Sequence, residues 1–283
     1  LATAPACHGK NSDAQQAFAA TSGMTNFFSD AGQRALHDFV MPGMLCLFDF
    51  DGTLAPLVDQ PSAAVLPQPV QQRLHRLQRS AQVGIVTGRS LADIGARLEF
   101  VPDYLIGNHG LEGLPDWQQR AAEFDHICSA WRADLATALS GMDAGIHLED
   151  KRYSLSLHYR HAHDPAHAMQ QLPVLFSQLS PAPRVIPGKC VFSLLPPSAI
   201  DKGQAVTQLI AQTGAARTLY VGDDVTDEDV FALRRKDLLS VRVVFDPHSA
   251  AQFFIPERAA IEDLLDRLVL CLQAPPIRQT GQS

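Results

Sequence analysis

The stretch Leu47-Phe48-Asp49-Phe50-Asp51-Gly52-Thr53-Leu54 decides how the rest of the chain is read. An apolar run that begins at Met44 ends abruptly in two carboxylates set two positions apart. Residues i and i+2 of a strand point to the same side, so Asp49 and Asp51 leave it together. Gly52 lets the chain turn sharply just beyond them. Like charges this close are costly, and such a pair usually has a cation or a shared proton between its members. A calcium loop of the EF-hand kind needs Gly at its sixth position and Glu at its twelfth. Here Gly52 is fourth and the twelfth residue is Gln60. A merely solvated turn leaves the apolar strand before it unexplained.

The same layout recurs on either side. Val83–Val86 runs into Thr87-Gly88-Arg89-Ser90, Tyr104–Ile106 into Gly107-Asn108-His109-Gly110, and Leu219–Val221 into Gly222-Asp223-Asp224. Short apolar runs bounded by turn signals read as buried strands. Between them, Val70, Leu74 and Leu77 recur at helical spacing after Pro67 and Pro69, and Leu91, Ile94 and Leu98 recur after Ser90, an N-cap candidate. Strands alternating with helices predict an α/β fold, a Rossmann-like parallel sheet with helices on both faces. Ligands of such sheets bind beyond the carboxyl ends of the strands, where these polar motifs lie.

The middle of the chain reads differently. Ala121–Leu139 is expected as a helix, Lys151–Arg160 as a half-buried strand of period two, Asp164–Leu179 as a helix interrupted by Pro173, and Lys189–Leu195 as a further strand. This predicts an α+β module at 113–196, inserted between two halves of the sheet domain at 26–112 and 197–272. Gly110–Gly113 and Pro196–Pro197 are the expected hinges, with flexible ends at 1–25 and 273–283.

The 283 residues carry 23 Lys and Arg against 30 Asp and Glu, a net charge of −7, with 46% hydrophobic and 19% charged residues. That composition supports a sizeable core and excludes a mainly disordered, collagen-like or coiled-coil chain. The acidic balance argues against nucleic acid as a partner, because phosphate-backbone binding needs a basic surface. The longest apolar runs, near Leu45–Phe48 and Val241–Phe245, fall far short of the ~20 residues of a spanning helix. No secretion-signal layout opens the sequence. Cys7, Cys46, Cys128, Cys190 and Cys271 are odd in number and scattered, which fits reduced thiols in a cytoplasm.

Three more segments bear on chemistry. Thr87-Gly88-Arg89 offers a hydroxyl and backbone N–H groups suited to phosphate oxygens. Asp201-Lys202-Gly203 precedes a helix-like stretch. Asp223 to Asp229, just after Gly222, packs five acids into seven residues. Some of them cap a helix, with Thr226 or Asp224 as N-cap, yet an acid cluster at a strand end also suits a hard divalent cation. His161, His163 and His167 lack the closed ligand set of a zinc site and read as an exposed loop.

The ordered set FDFDGTL, TGR, GNHG, LHYR, GKCV, Lys-Gly and GDDVTDE resembles the trehalose-6-phosphate phosphatase family of the haloacid dehalogenase superfamily, from about Leu45 to Leu272. The resemblance implies a Mg²⁺-dependent phosphatase acting on trehalose 6-phosphate. By it Asp49 is the nucleophile that forms an aspartyl-phosphate. Asp51 is the general acid, then the base that activates water. Thr87 bonds the transferring phosphoryl group and Lys202 offsets its charge. Mg²⁺ is implied at Asp49, the backbone carbonyl of Asp51 and Asp223, with Asp224 and Asp227 close by or through water. The inserted module corresponds to a cap that closes over the sugar. Arg89, Glu149, Lys151, Arg160 and Lys189 fall at expected substrate-binding positions, as do Asn108 and His109, for which a structural turn is the alternative reading. The partner is then a small sugar phosphate and the chain a cytoplasmic monomer. Two departures stand out. Ser193 replaces an expected Glu, and Leu195 and Pro197 replace basic residues, so a different sugar phosphate is the alternative substrate. A non-catalytic sugar-phosphate sensor and a phosphotransferase are the rival functions. The paired Asp49 and Asp51 speak against the sensor.

Overall fold

The computed structural model describes residues 23–58 and 60–273. The first half of the chain runs β1 (Thr25–Asn26), α1 (Asp30–Phe39), β2 (Leu45–Phe48), α2 (Gln68–Leu77), β3 (Gln82–Val86), α3 (Leu91–Gly95) and β4 (Tyr104–Ile106). An inserted section follows, with α4 (Trp117–Leu139), β5 (His147–Asp150), β6 (Leu155–His158), α5 (Pro165–Phe176), β7 (Arg184–Gly188) and β8 (Val191–Leu195). The chain then adds α6 (Lys202–Thr213), β9 (Thr218–Gly222), α7 (Glu228–Phe231), β10 (Leu238–Val243), β11 (Phe253–Ile255) and α8 (Ile261–Gln273).

Seven parallel strands form one sheet in the order β1-β11-β10-β9-β2-β3-β4. Alternate side chains of β2 go to opposite faces, and both faces are buried. Cys46 and Phe48 join the layer that α1, α2 and α8 cover, with Leu36, Val70, Leu74 and Leu268. Leu45 and Leu47 join the layer under α6 and α7, with Val206, Leu209 and Phe231. Burial on both sides is why β2 reads as a continuous apolar run rather than an alternating one. The chain leaves β2 for β3 on one side and later returns to β9 on the other, so the strand order reverses between β2 and β9. A crevice opens at such a point.

The inserted strands make an antiparallel sheet, β5-β6-β8-β7. Its one face packs Leu155, Leu157, Phe192 and Leu194 against Trp131 and Leu135 of α4 and Leu172 and Phe176 of α5. Its other face looks toward the main sheet.

Several local readings differ from the sequence-based ones. Lys151–Arg160 is not one strand. Lys151 to Ser154 form the turn between β5 and β6, where Arg152 adopts φ +70. The strand at 189–195 starts only at Val191, because Lys189 and Cys190 (φ +57) form the β7–β8 hairpin. Pro173 does not interrupt α5. It sits on the exposed side, where a missing hydrogen bond is cheapest, and Asp164 caps the helix by accepting from His167 N–H. At the ends, Thr25 already pairs with Phe253 in β1 over a buried Met24, and α8 reaches Gln273. The remainder of the expected flexible ends, and Cys7, lie outside the described residues.

Candidate active site

The register of the central strands builds the site. Phe48 pairs with Val221, and Asp49 N–H donates to the Val221 carbonyl at 2.9 Å, so Asp49 and Asp223 emerge side by side. On the other flank, Thr87 follows β3 and its N–H donates to Ile106 O at 2.9 Å. Gly52 turns the chain at φ +88, and the Asp223 carboxylate occupies the space where a Cβ would stand. Only glycine fits both requirements. Thr53 Oγ1 donates to Asp223 Oδ1 at 3.2 Å.

Helix α6 delivers Lys202. Asp201 and Gln204 form a reciprocal capping box that starts the helix at that residue. Lys202 is 2% exposed, and its Nζ donates to Asp49 Oδ1 at 2.7 Å and Asp227 Oδ1 at 2.8 Å. Burial pulls its pKa down, but these two carboxylates outweigh burial and hold it above the usual lysine range. Asp227 is fully buried and accepts four donors. Its Oδ1 takes Lys202 and the Tyr220 hydroxyl (2.6 Å), and its Oδ2 takes the backbone N–H groups of Asp223 and Asp224, each at 2.9 Å. Asp227 is thus the organiser of the acidic turn.

One carboxylate oxygen each from Asp49, Asp223 and Asp227 lies within 4.8 Å of the others. Burial above all, with the neighbouring acids, raises the Asp49 pKa well above the carboxylate range despite Lys202. The same causes push Asp223 up to about 7. Three clustered carboxylates against one ammonium leave two negative charges uncompensated. Oxygen donors with that charge deficit fit a hard divalent cation. Asp224 stands apart from this group. It is exposed at the edge of the cleft that Asp49 and Asp223 line, and its carboxylate caps the following turn by accepting from Val225 N–H at 2.8 Å.

Asp51 is held elsewhere. Arg89 forks onto it, Nε to Oδ2 at 2.6 Å and Nη2 to Oδ1 at 2.7 Å. The same guanidinium donates to Asp93 at 2.6 Å and to Pro61 O at 2.9 Å. Arg89, expected at the substrate, lines the cleft while its guanidinium is bonded to Asp51, Asp93 and the Pro61 carbonyl. Thr87 is buried, and its Oγ1 accepts from Arg89 N–H at 3.2 Å.

A cleft of about 1120 Å³ separates the two sheets. Asp49, Asp51, Thr87, Lys202 and Asp223 line its floor, and His109, Glu149, Lys151, Arg160 and Lys189 line it as well. Asn108 does not. It is completely buried and bonded to its neighbours, so its expected place at the substrate is corrected to a structural one. His109 carries φ +59, and burial with the nearby Lys151, Lys202 and Arg184 holds its pKa well below the usual histidine range. Burial alone would raise the Glu149 pKa, but the bond from His158 (2.8 Å) and the charge of Lys151 (3.8 Å) bring it below normal. His161 lines the cleft, whereas His163 is exposed on the loop that enters α5 and His167 is exposed in the first turn of that helix.

Of the roof that faces this floor, the sequence reading named Glu149 and Ser193 and missed the rest. Glu149, Ser156, Ser193 and Ile186 form one cross-strand row, and His147, His158, Val191 and Gly188 form the next on the same face. All eight line the cleft. Ser156 and Ser193 place their hydroxyls 3.3 Å apart. The alternation in Ser156-Leu157-His158 was the available signal, and pairing with β5 and β8 gives it meaning.

The sequence matches the trehalose-phosphatase family over residues 47–258. The chain belongs to that family. Trehalose-phosphate phosphatase of Mycobacterium tuberculosis (strain H37Rv) is 30% identical over 247 residues, covering 82% of this chain and 63% of that protein. A protein of the same organism described as an uncharacterized glycosyl hydrolase is 33% identical over 244 residues, 80% of this chain and 18% of its own length. The chain thus spans less than two thirds of the curated relatives it matches. Among solved structures, the C-terminal domain of trehalose-6-phosphate phosphatase from Candida albicans superposes with a TM-score of 0.66 at 21% identity, covering 87% of this chain and 98% of that one. A sucrose-phosphatase from Synechocystis, solved with sucrose and phosphate, gives 0.51 at 20% identity over 81% of this chain and 98% of that one. These two share the haloacid-dehalogenase fold of this trehalose-phosphatase family member. No described helix is long and apolar enough to cross a membrane.

Proposed function

We propose that this chain is a divalent-cation-dependent phosphatase that releases phosphate from trehalose 6-phosphate through a phosphorylated Asp49. The observation that carries the reading is the buried Asp49 carboxylate, bonded by Lys202 and set beside Asp223 on the cleft floor. Asp49 attacks phosphorus, forming an acyl-phosphate bond as the bond to the sugar oxygen breaks. Asp51 gives its proton to that oxygen, then takes one from the water that attacks the phosphorus of the acyl-phosphate, freeing inorganic phosphate and Asp49. Both oxygens of Asp51 are bonded to Arg89, so Asp51 must turn out of that fork to meet the leaving oxygen. Lys202 and Thr87 offset and orient the phosphoryl charge.

Asp49 and Asp223, with the backbone carbonyl of Asp51, would hold Mg²⁺, with Asp227 fixing their spacing. The bound ion supplies charge neutralisation between an anionic nucleophile and an anionic substrate. Residues 113–196 act as the cap, whose rows of Glu149, Ser156 and Ser193 and of His147 and His158 offer hydrogen bonds to sugar hydroxyls. We further propose that the chain is a monomer and that it works in the cytoplasm, the latter a reading that the unpaired thiols of the four described cysteines support.

A second substrate reading follows from the roof. Ser193 faces another serine where a carboxylate is expected, which favours a different sugar phosphate. Phosphate release in Mg²⁺ from trehalose 6-phosphate, sucrose 6-phosphate and glucose 6-phosphate, ranked by kcat/KM, separates the readings. Trehalose 6-phosphate is expected to lead by at least ~10-fold, since glucose 6-phosphate lacks the second ring and sucrose 6-phosphate presents its hydroxyls in other positions, which leaves roof groups unpaired. Equal rates, or a lead for another sugar, overturn the substrate assignment.

A further inference from the structure

The turn after β4 joins the two sheets through a closed set of buried bonds. Its backbone is held to the loop after β3, with Asn108 N–H donating to Arg89 O at 2.7 Å and His109 N–H to Thr87 O at 3.0 Å. The Asn108 side chain reaches the other way. Its Nδ2 donates to Glu112 Oε2 at 2.8 Å and to the Lys151 carbonyl at 3.2 Å, and its Oδ1 accepts from Ser154 Oγ at 2.7 Å. Glu112 Oε2 also takes Leu91 N–H at 3.0 Å. From the inserted module, Lys151 Nζ donates back to Gly88 O at 3.1 Å. The ring Arg89, Asn108, Lys151, Gly88 therefore crosses between the sheets twice.

The chemistry of this knot demands an amide. One planar head gives two N–H groups to a carboxylate and a carbonyl while accepting a hydroxyl. Aspartate would set one carboxylate against another, and leucine would remove all three bonds, leaving the Ser154 hydroxyl without its partner while Glu112 keeps only Leu91 N–H and the Lys151 carbonyl only Tyr153 N–H. Asn108 (φ +48) and His109 (φ +59) both adopt left-handed backbone, a conformation that persists only where surrounding bonds over-determine it.

We propose that Asn108, with Ser154 and Glu112, is a positioning residue that clamps the Lys151–Ser154 turn onto the Thr87–Arg89 loop and so sets the Lys151 ammonium at the phosphate end of the cleft. The proposal rests on the phosphatase reading only in naming phosphate as the group Lys151 meets.

A double-mutant cycle tests it. Asn108→Ala, Ser154→Ala and Lys151→Ala are made singly, and each of the first two is combined with Lys151→Ala. The full chain is assayed in Mg²⁺ with trehalose 6-phosphate and with 4-nitrophenyl phosphate, and inorganic phosphate affinity is measured by calorimetry. Asn108→Ala is expected to lower kcat/KM by ~10–100-fold, as misplacement of a binding group does, and to add under about 3-fold once Lys151 is alanine. Ser154→Ala follows the same pattern with a smaller loss. Effects that multiply in the double variants, or a folded Asn108→Ala protein with unchanged kcat/KM, overturn the proposal. If Asn108→Ala fails to fold, the Ser154 cycle decides in the same way. Turnover of the aryl phosphate without trehalose 6-phosphate sinks the substrate reading, and the cycle is then scored on the aryl phosphate. If neither substrate turns over, the cycle is scored on phosphate affinity.

Discussion

Replacing Asp227 with asparagine tests whether this residue organises the acidic turn. The side chain is fully buried and accepts two donors on each oxygen, at 2.6 to 2.9 Å. Asparagine keeps the shape but turns one oxygen into an NH₂ group. In one orientation that group faces the backbone N–H groups of Asp223 and Asp224, and in the other it faces Lys202 and Tyr220. The first sets two backbone donors against a donor, the second sets Lys202 against one while the Tyr220 hydroxyl can turn to accept, and in both Lys202 loses one of its two buried counter-charges. Hydrogen bonds to charged groups contribute roughly 1.5–3 kcal/mol each. Breaking a buried ion pair by removing one partner costs about 3–5 kcal/mol. Lys202 keeps Asp49, so a loss of about 4 kcal/mol is expected, or roughly 10 °C in Tm for a chain of this size. Equilibrium unfolding in urea with EDTA present isolates this from metal binding. Asp224→Asn is the control, because asparagine caps as well as aspartate and the change should stay within about 0.5 kcal/mol. A loss under about 1 kcal/mol for Asp227→Asn would refute the four-donor account.

Three further outcomes follow from the geometry. Asp223 has its folded pKa raised to about 7, chiefly by burial, and Asp49 is raised for the same reason, so the folded metal-free protein binds protons that the unfolded chain releases. Their contribution to stability is whole below the usual carboxylate range and is lost as pH rises through about 7. Melting curves from about pH 5 to 8 should then show the Mg²⁺-induced gain in Tm growing with pH, and a gain that is flat or shrinks speaks against a cation at these acids. Gly52→Ala drives a Cβ into the Asp223 carboxylate, and should cost ~100-fold in kcat while the protein stays folded by circular dichroism; near-normal kcat would show that this carboxylate needs no fixed place. Ser156→Ala combined with Ser193→Ala should raise KM for trehalose 6-phosphate by ~10-fold and leave 4-nitrophenyl phosphate unchanged, since the aryl group has no hydroxyls for the roof to hold. Equal effects on both substrates would remove the roof from sugar recognition.

The parts of this molecule legible in its sequence are those whose signal is local. Apolar runs that stop at Asp49, Thr87, Gly107 and Gly222 gave the central strands, because a strand buried on both faces leaves no choice of polar residue. Ser90 was legible as a cap because capping involves residues three apart. The alternation of KRYSLSLHYR runs straight through a turn at Arg152, since period alone does not mark where a strand loses its partner. β1 and β11, two and three residues long, are too short for any periodic signal. The differing fates of Asp223, Asp224 and Asp227 were hidden because five acids in one turn look alike until their donors are known. The bonds that hold Arg89 and Asn108 were hidden for the same reason. Their partners, Asp51 and Ser154, are 38 and 46 positions away.

The most direct test of the central claim is the covalent state of Asp49. Asp51→Asn protein mixed with 4-nitrophenyl phosphate and Mg²⁺, quenched in acid and digested, should carry one phosphoryl group on the peptide around Asp49, because 4-nitrophenolate leaves without the proton Asp51 gives a sugar oxygen, while release of the acyl-phosphate still needs Asp51 as base. Slow turnover with no phosphopeptide at all, or full turnover by Asp49→Asn, would contradict the account.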